Sequence, residues 1–541
     1  MYTAHVDLFA RSHLPPRDQW PDLIFDFPEL HYPEKMNCAT RLLDRHIAEE
    51  DGNRRAIVWP GGEWTYEQLQ TKANQIAAVL VDDLGIVPGN RVLLRGFNGP
   101  MLAACWFAVM KAGAIAITAM PLYRETELKH IVEKASVHHA LCDLRLADAL
   151  DAGVSGLAGF TTKYFGDESA DGLEAAMESK PSAFKNVESA AEDVALIAFT
   201  SGTTGKAKAT MHFHRDVLAV CDTFAKSCLR ATPEDLFCGS PPLGFTFGLG
   251  GLLLFPMDAG AATLLLEKAT PELLMQTSAE QGVSVVFTAP VAFRTMAGMA
   301  DRFDLSRLRT CVSAGETLPL PVYDAFLAAT GVKIIDGIGG TEMLHIYISA
   351  REDEIRPGST GKAVPGYQAR VVDDNGKEVR PGMIGRLAVR GPTGCRYLND
   401  ERQLQYVQNG WNFPGDAYRM DEDGYFWYVA RLDDMIVAAG YNISGPEVEE
   451  ALLAHPDVKE CAVVAKPDPA RHTNMVKAFV VLNHGCNDDL DEVLALQDFV
   501  KTKLATFKCP REIEFVRELP RTETGKLQRF VLRNKEVEKP Q

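Results

Sequence analysis

At 541 residues the chain exceeds what a single hydrophobic core organises, so two or more domains are expected. Hydrophobic content of 46% and charged content of 24% are ordinary for a soluble globular protein. A formal net charge of -17 argues against nucleic acid or an anionic membrane surface as the main partner, so any anionic ligand must be met by a local positive site.

Residues 1–35, rich in Pro and aromatics, are expected to wrap the surface, and Met1 to Asp7 has no basic region leading into an apolar core, so no signal peptide is expected. Arg55–Trp59 reads as a strand closed by Pro60-Gly61-Gly62. Thr65-Tyr66-Glu67-Gln68 matches a capping box, followed by a helix with Leu69, Ala73, Ile76, Ala77 and Leu80 on one face. Arg91–Leu94 is the next strand. Helix and strand then alternate: 101–111 and 114–118, then 125–135 and 140–142. The apolar stretch Met101 to Leu122 is broken by Lys111 and Gly113, which suits a buried helix followed by a buried strand better than a membrane span. Repeated βα units predict an α/β fold with doubly wound, largely parallel sheets.

Val194-Ala195-Leu196-Ile197-Ala198 reads as a buried strand and runs into Phe199-Thr200-Ser201-Gly202-Thr203-Thr204-Gly205-Lys206-Ala207-Lys208. Glycines let this backbone turn tightly; consecutive N–H groups and hydroxyls there can face one anion, with Lys206 and Lys208 adding charge. It is not a Walker A loop, because Gly202 and Gly205 are too close and Ala207 follows Lys206. By itself the segment is equally compatible with a phosphate cradle and with a flexible surface loop.

A helix is expected over 215–230, and strands over 261–266, 283–288, 308–313 and 333–336, the last entering Gly337-Ile338-Gly339-Gly340-Thr341-Glu342. From Arg356 short strands and turns (369–372, 386–390 and Gly424-Tyr425-Phe426) predict a small β subdomain. Beyond Arg431-Leu432-Asp433-Asp434 a helix opens at Gly445-Pro446, followed by strands 461–465 and 476–482, helix 490–504 and strand 513–516. The predicted organisation is therefore a large N-terminal domain over 1–432 and a small, mobile α+β C-terminal domain over 433–541. The 11 cysteines are scattered singly, without a CxxC pair or zinc spacing, as small buried residues in a reducing, cytoplasmic compartment would be.

Five distant segments together resemble the signatures of the adenylate-forming enzymes, which include acyl-CoA synthetases, luciferases and nonribosomal adenylation domains. They are Thr200 to Lys208, Gly339-Gly340-Thr341-Glu342, Gly410 to Asp416, Ala430-Arg431-Leu432-Asp433-Asp434 with Gly440, Ile443, Pro446 and Glu447, and Pro520-Arg521-Thr522-Glu523-Thr524-Gly525-Lys526. They stand in the family's order across most of the chain. The resemblance implies two half-reactions: a carboxylate and ATP give an acyl-adenylate and pyrophosphate, then CoA gives the thioester and AMP. ATP and Mg²⁺ are the implied cofactors and CoA the co-substrate.

By the same resemblance Thr200, Ser201, Gly202, Thr203, Thr204 and Gly205 hold the β- and γ-phosphates with Lys208 nearby. Thr341 bonds the α-phosphate and Glu342 holds the metal, a hard ion suited to carboxylate and phosphate oxygens. Asp416 and Arg431 bond the ribose. Gly315, Glu316, Asp336, Gly337 and Ile338 frame the adenine. Lys526 bridges carboxylate and α-phosphate at the transition state, Asp433 is the hinge, and Gly440 lines the pantetheine tunnel, where a missing side chain leaves room. The chain departs from the family at Ala207 and Ala209, where Pro and Gly are usual, at Ile338, where an aromatic residue usually stacks on adenine, and at Ala430, usually glycine. These departures bear on loop rigidity and stacking, and motivate the alternative of a degenerate nucleotide-binding protein.

Leu243 to Gly250 and Asp336 to His345 resemble the benzoate- and 2-aminobenzoate-CoA ligases more than long-chain enzymes. Phe245, Thr246, Phe247, Ala314, Gly339 and Ile338 would wall a flat apolar slot for one aromatic ring, with His345 facing the ring or bonded behind it. In Met211-His212-Phe213-His214 either histidine could point inward, or His214 could cap the following helix. The expected partners are a small aromatic carboxylic acid, ATP and CoA, without nucleic acid or membrane; a homodimer is compatible with the sequence. A medium-chain fatty acyl-CoA synthetase, and loading of a carrier protein rather than CoA, are the alternatives.

Overall fold

The computed structural model describes residues 2–200, 207–438, 441–468, 473–522 and 526–538, and has a large N-terminal sheet domain and a smaller C-terminal domain. The first sheet has six strands in the order Thr161–Phe165, His139–Asp143, Arg91–Arg95, Ile115–Ala119, Val194–Phe199 and Ala209–Phe213. All pairs are parallel except the last. Helices Pro100–Lys111 and Glu125–Ala135 make the crossovers, and the buried 101–122 segment is a helix and a strand, as expected. The capping box is made: Gln68 N–H donates to Thr65 Oγ1 at 3.2 Å, and Thr65 N–H to Gln68 Oε1 at 2.9 Å.

The second sheet has nine strands, six of them parallel in the order Ile334–Gly339, Thr310–Ser313, Val285–Thr288, Leu236–Gly239, Ala262–Leu264 and Arg55–Trp59. Ile346–Ser349 and Lys362–Ala363 add antiparallel at one edge and Gly62–Thr65 at the other. The carboxyl ends of these parallel strands, near Gly239, Thr288, Ser313 and Gly339, lie along one edge of the sheet, the edge at which ligands of α/β sheets bind. One large apolar cluster, including Leu69, Trp106, Phe224 and Phe287, fills the space between the sheets.

An antiparallel sheet follows, built on Gln368–Val372, Ile384–Arg390, Asp416–Met420 and Phe426–Arg431, as the change in sequence texture predicts. The hairpin Ile436–Ala438 with Tyr441–Ile443 leads into the small C-terminal sheet Val458–Asp468, Thr473–Leu482 and Glu512–Phe515, packed by helices Gly445–Leu453, Leu490–Lys503 and Arg529–Glu538. Ten cysteines are buried and Cys486 alone is partly exposed. Burial pushes the thiols up, those of Cys142, Cys228 and Cys238 to about 12. No helix among the described residues is long and apolar enough to cross a membrane.

The helix expected over 215–230 is present, but a strand that the sequence reading did not include precedes it. The chain returns from the loop as a strand, Ala209–Phe213, antiparallel to Val194–Phe199, and only then enters the helix His214–Val220, which continues through wider turns to Leu229. Strands Thr161–Phe165, Leu236–Gly239 and Ile346–Ser349 are also additions to the sequence reading.

Candidate active site

The glycine- and threonine-rich loop is the connection of a β-hairpin. Ser201, Gly202, Thr203, Thr204, Gly205 and Lys206 lie outside the described residues, as does Gly440. The stem is closed by Phe199 opposite Ala209, by Thr200 N–H donating to the Lys208 carbonyl at 2.9 Å, and by Lys208 N–H to Thr200 Oγ1 at 3.3 Å. The departure at Ala209 has a local reason: the residue is fully buried in the returning strand.

Lys208 points from this stem to the Tyr397 hydroxyl at 2.6 Å and lies 3.2 Å from Glu342. Tyr397 in turn donates to Glu342 Oε1 at 2.6 Å. Burial works against the charge on Glu342, but Lys208 and the Tyr397 hydroxyl outweigh it and hold the carboxyl below the usual range. The sequence reading missed Tyr397, which stands apart from the five signatures.

Strand Ile334–Gly339 carries the adenine-frame candidates. Ile338 pairs with Ile348 across the sheet. Gly339 lies against the next turn, where a Cβ would be 2.7 Å from the His345 carbonyl oxygen. Asp336 Oδ1 is buried without a partner among the described residues, and burial pushes its carboxyl up to about 8. The folded chain thus holds a proton that the unfolded chain releases above 3.8, so this group's contribution to stability falls as pH rises from 3.8 to about 8. Asp336→Asn removes that loss. Its gain in Tm over the parent is expected to be smallest near 3.8 and to plateau above about 8, as thermal unfolding across pH will show; a constant difference would contradict a neutral buried carboxyl.

Thr341 and Glu342 sit in the single turn Thr341–Met343, closed by Leu344 at φ +70, a conformation costing a leucine about 1–3 kcal/mol. Beneath the turn, His212 Nε2–H donates to the Thr341 carbonyl at 2.8 Å. Burial lowers His212 to about 4, so it is neutral. Its Nδ1 lies 3.9 Å from Asp216, which Arg396 binds at 2.7 Å. His214 is also buried, with Nδ1 accepting from Cys38 N–H at 3.3 Å. His212 therefore supports the turn from behind, and His214 packs against Cys38.

In the segment taken for the acid pocket, Thr246 and Phe247 begin the short helix Thr246–Leu249. Ala314 follows strand Thr310–Ser313. His345 lies in an aromatic box, with ring centroids 4.5 Å from Phe255, 5.6 Å from Phe224 and 5.7 Å from Phe247, and Nε2 3.4 Å from the Phe247 carbonyl. Burial lowers it to about 3. Phe245 differs: it is half-buried, and its ring centroid is 5.4 Å from Lys526 Nζ.

Asp416 is buried and bound by Arg431 Nη1 at 3.1 and 3.2 Å; burial raises its carboxyl and Arg431 opposes the rise. Asp433 lies in the turn Leu432–Asp434, where its carbonyl accepts from Arg533. From the C-terminal domain Lys526 reaches the loop after strand Thr310–Ser313: a Cβ at Gly315, whose φ is +92, would lie 3.8 Å from Lys526 Cε. Burial and then Arg431 lower the ammonium's value, while Glu342, Glu316 and Asp416 pull it back up. Glu316, expected beside adenine, instead accepts from Leu527 N–H at 2.9 Å and from Arg521 at 3.1 Å.

Glu342 fits a magnesium ligand: it is an ionised, buried carboxylate facing Lys208 at the hairpin stem. Among the described residues one other group has metal-ligand spacing, His455, Asp457 and Glu492, within 4.8 Å of one another. There His455 Nδ1 already accepts from the Asp457 N–H.

Residues 44–397 match the family described as AMP-binding enzyme, and residues 447–526 its AMP-binding enzyme C-terminal domain. A benzoate–CoA ligase of Thauera aromatica is 33% identical over 516 residues, 94% of this chain and 97% of that protein. The structure of the anthranilate CoA ligase AuaEII in complex with anthranoyl-AMP superposes with a TM-score of 0.90 at 33% identity, covering 94% of this chain and 99% of that one. A benzoate CoA ligase from Burkholderia xenovorans LB400 gives 0.83 at 29%, covering 92% and 100%. The chain belongs to the AMP-binding enzyme family. Within it the chain is an acyl-CoA ligase, an enzyme that uses ATP, CoA and a carboxylic acid.

Proposed function

We propose that this ligase activates a small aromatic carboxylate, 2-aminobenzoate or benzoate. The observation that carries this reading is the meeting of Lys526, the Gly315 loop and the Phe245 ring at the carboxyl end of the parallel sheet. A flat side chain beside a lysine suits an arene bearing a carboxylate. The relatives named for benzoate and anthranilate support the same class.

In the first half-reaction a carboxylate oxygen attacks the α-phosphorus and the bond to pyrophosphate breaks. Lys526 holds the carboxylate and α-phosphate oxygens together, meeting charge where it develops. Thr341, held by His212 through its carbonyl, bonds the α-phosphate. Thr200 and Lys208, with Ser201 to Gly205 between them, hold the outer phosphates. When bound, Mg²⁺ held by Glu342 supplies a hard cation for the phosphate oxygens. Asp416 and Arg431 take the ribose, and Asp336 Oδ1 offers an acceptor to the adenine amino group. In the second half-reaction the CoA sulfur attacks the acyl carbonyl, the bond to AMP oxygen breaks, and the thiol proton passes to solvent. We assign residues 1–432 to the acid- and ATP-binding domain and 433–541 to a domain that turns about Asp433 between the two steps.

Pyrophosphate release across aryl and alkyl acids, with and without CoA, tests the reading. Benzoate and 2-aminobenzoate are expected to lead; octanoate ahead of both would overturn it. In the same panel Phe245→Ala is expected to cut kcat/KM for aromatic acids by about 10-fold or more, the value of one lost aromatic contact, while short aliphatic acids change little. An unchanged profile would remove Phe245 from the pocket.

A further inference from the structure

The chain on either side of residues 523–525 is paired with itself. Thr522 N–H donates to the Lys526 carbonyl at 2.7 Å, Lys526 N–H donates to Thr522 Oγ1 at 3.0 Å, and Arg521 bridges Leu527 in antiparallel register. One carboxylate oxygen of the large domain holds both sides of this pairing: Glu316 Oε1 accepts from Leu527 N–H at 2.9 Å and from Arg521 Nη1 at 3.1 Å. Arg521 is fixed on its other side by Glu460, at 3.0 Å within the C-terminal domain. Glu316 follows Gly315, where a Cβ would lie 3.8 Å from Lys526 Cε.

We propose that Glu316 is a positioning residue for Lys526. It is the socket in which the lysine-bearing segment seats, and it acts in adenylation alone, since a C-terminal domain that turns away must leave it. The geometry favours this over a place beside adenine, because the carboxylate is already occupied by the other domain. Other bonds also hold the domains together, notably Arg294 to the Val458 carbonyl at 2.7 Å, so loss of Glu316 changes where the lysine sits rather than whether the domain docks. A charged oxygen shared by a guanidinium and an amide fixes direction as well as distance, and a misplacement of about 1 Å can cost about 10²-fold in rate.

The inference rests on the proposed adenylation chemistry, so its test has a readout of each kind. In Glu316→Ala, single-turnover acyl-AMP formation is expected to fall about 10²-fold in kcat with KM for ATP nearly unchanged, while preformed acyl-AMP reacts with CoA at the parental rate. Glu316→Gln, which keeps an oxygen for Leu527 but no charge for Arg521, is expected to fall between. Arg521→Ala is expected to lose less in the Glu316→Ala background than in the parent. In the apo protein, tryptic cleavage after Lys526 is expected to be about 10-fold faster in Glu316→Ala, because the seat no longer holds the segment. Unchanged adenylation, a loss confined to KM for ATP, equal loss of both half-reactions, or unchanged cleavage would each overturn the assignment. A parent enzyme that forms no acyl-adenylate would overturn the proposed function instead, and the cleavage rates would still decide the role of Glu316 in seating the segment.

Discussion

Replacing Lys526 by alanine is expected to lower acyl-AMP formation by about 10²–10³-fold or more, the cost of removing one fixed donor from a developing charge. The reaction of preformed acyl-AMP with CoA should continue. The basis is geometric: the ammonium enters from the C-terminal domain, beside Gly315 and over Phe245, where carboxylate and α-phosphate would meet. Its charge costs more there than in water, because burial and Arg431 both lower its value from 10.5. The sign follows: the ammonium loses its proton at lower pH than an ordinary lysine, so parental adenylation should decline on the alkaline side below 10.5. Rapid-quench measurement of each half-reaction across pH checks both points. Equal loss of the two half-reactions in Lys526→Ala would contradict a role confined to adenylation.

Asp433→Pro is expected to divide the half-reactions the other way. Asp433 is the second residue of a single turn, where a fixed φ and a missing N–H are tolerated, so the docked arrangement with Lys526 in place should survive. If the domain turns about Asp433, as proposed, the backbone there must change, and proline resists that. Adenylation should stay within about threefold of the parent, while thioester formation falls by about 10²-fold or more, a separation that follows from which step needs the motion. A stopped-flow burst of pyrophosphate without steady turnover is the signature. Parental turnover would show that the chain bends elsewhere.

What could be read from the sequence was local or motif-borne. The Thr65 box, the buried run Val194–Ala198 and the helix-strand pair over 101–122 each carry their signal within a few residues, and all three stand as expected, the run extended by Phe199. Strand Ala209–Phe213 escaped because Thr210 and His212 break its apolar run, yet both are fully buried: His212 bonds the Thr341 carbonyl, a contact that only the tertiary structure supplies, while the Thr210 hydroxyl has no hydrogen-bond partner among the described residues. The candidate site divides in the same way. Lys208, Thr341, Glu342, Asp416 and Lys526 are candidates that the signatures name. Tyr397, Asp216, Arg396 and the true partners of Glu316 are not named by them, because pairs 55, 180 and 211 residues apart leave no periodic trace. Phe247 and His345 are deeper in the aromatic box than a flat slot drawn from the sequence would place them, for the same reason.

The single accessible thiol has a practical consequence. Ten sulfurs are sealed in cores and Cys486 stands partly open on the C-terminal domain. A maleimide dye added to the native enzyme will mark that domain alone, without any cysteine being removed. Desolvation, and after it Asp457 and Glu492 beside Cys486, discourage the thiolate, so labelling will be slow at neutral pH and quicken in mild alkali. The unaltered protein thus carries an attachment point from which changes of orientation during turnover can be followed by light.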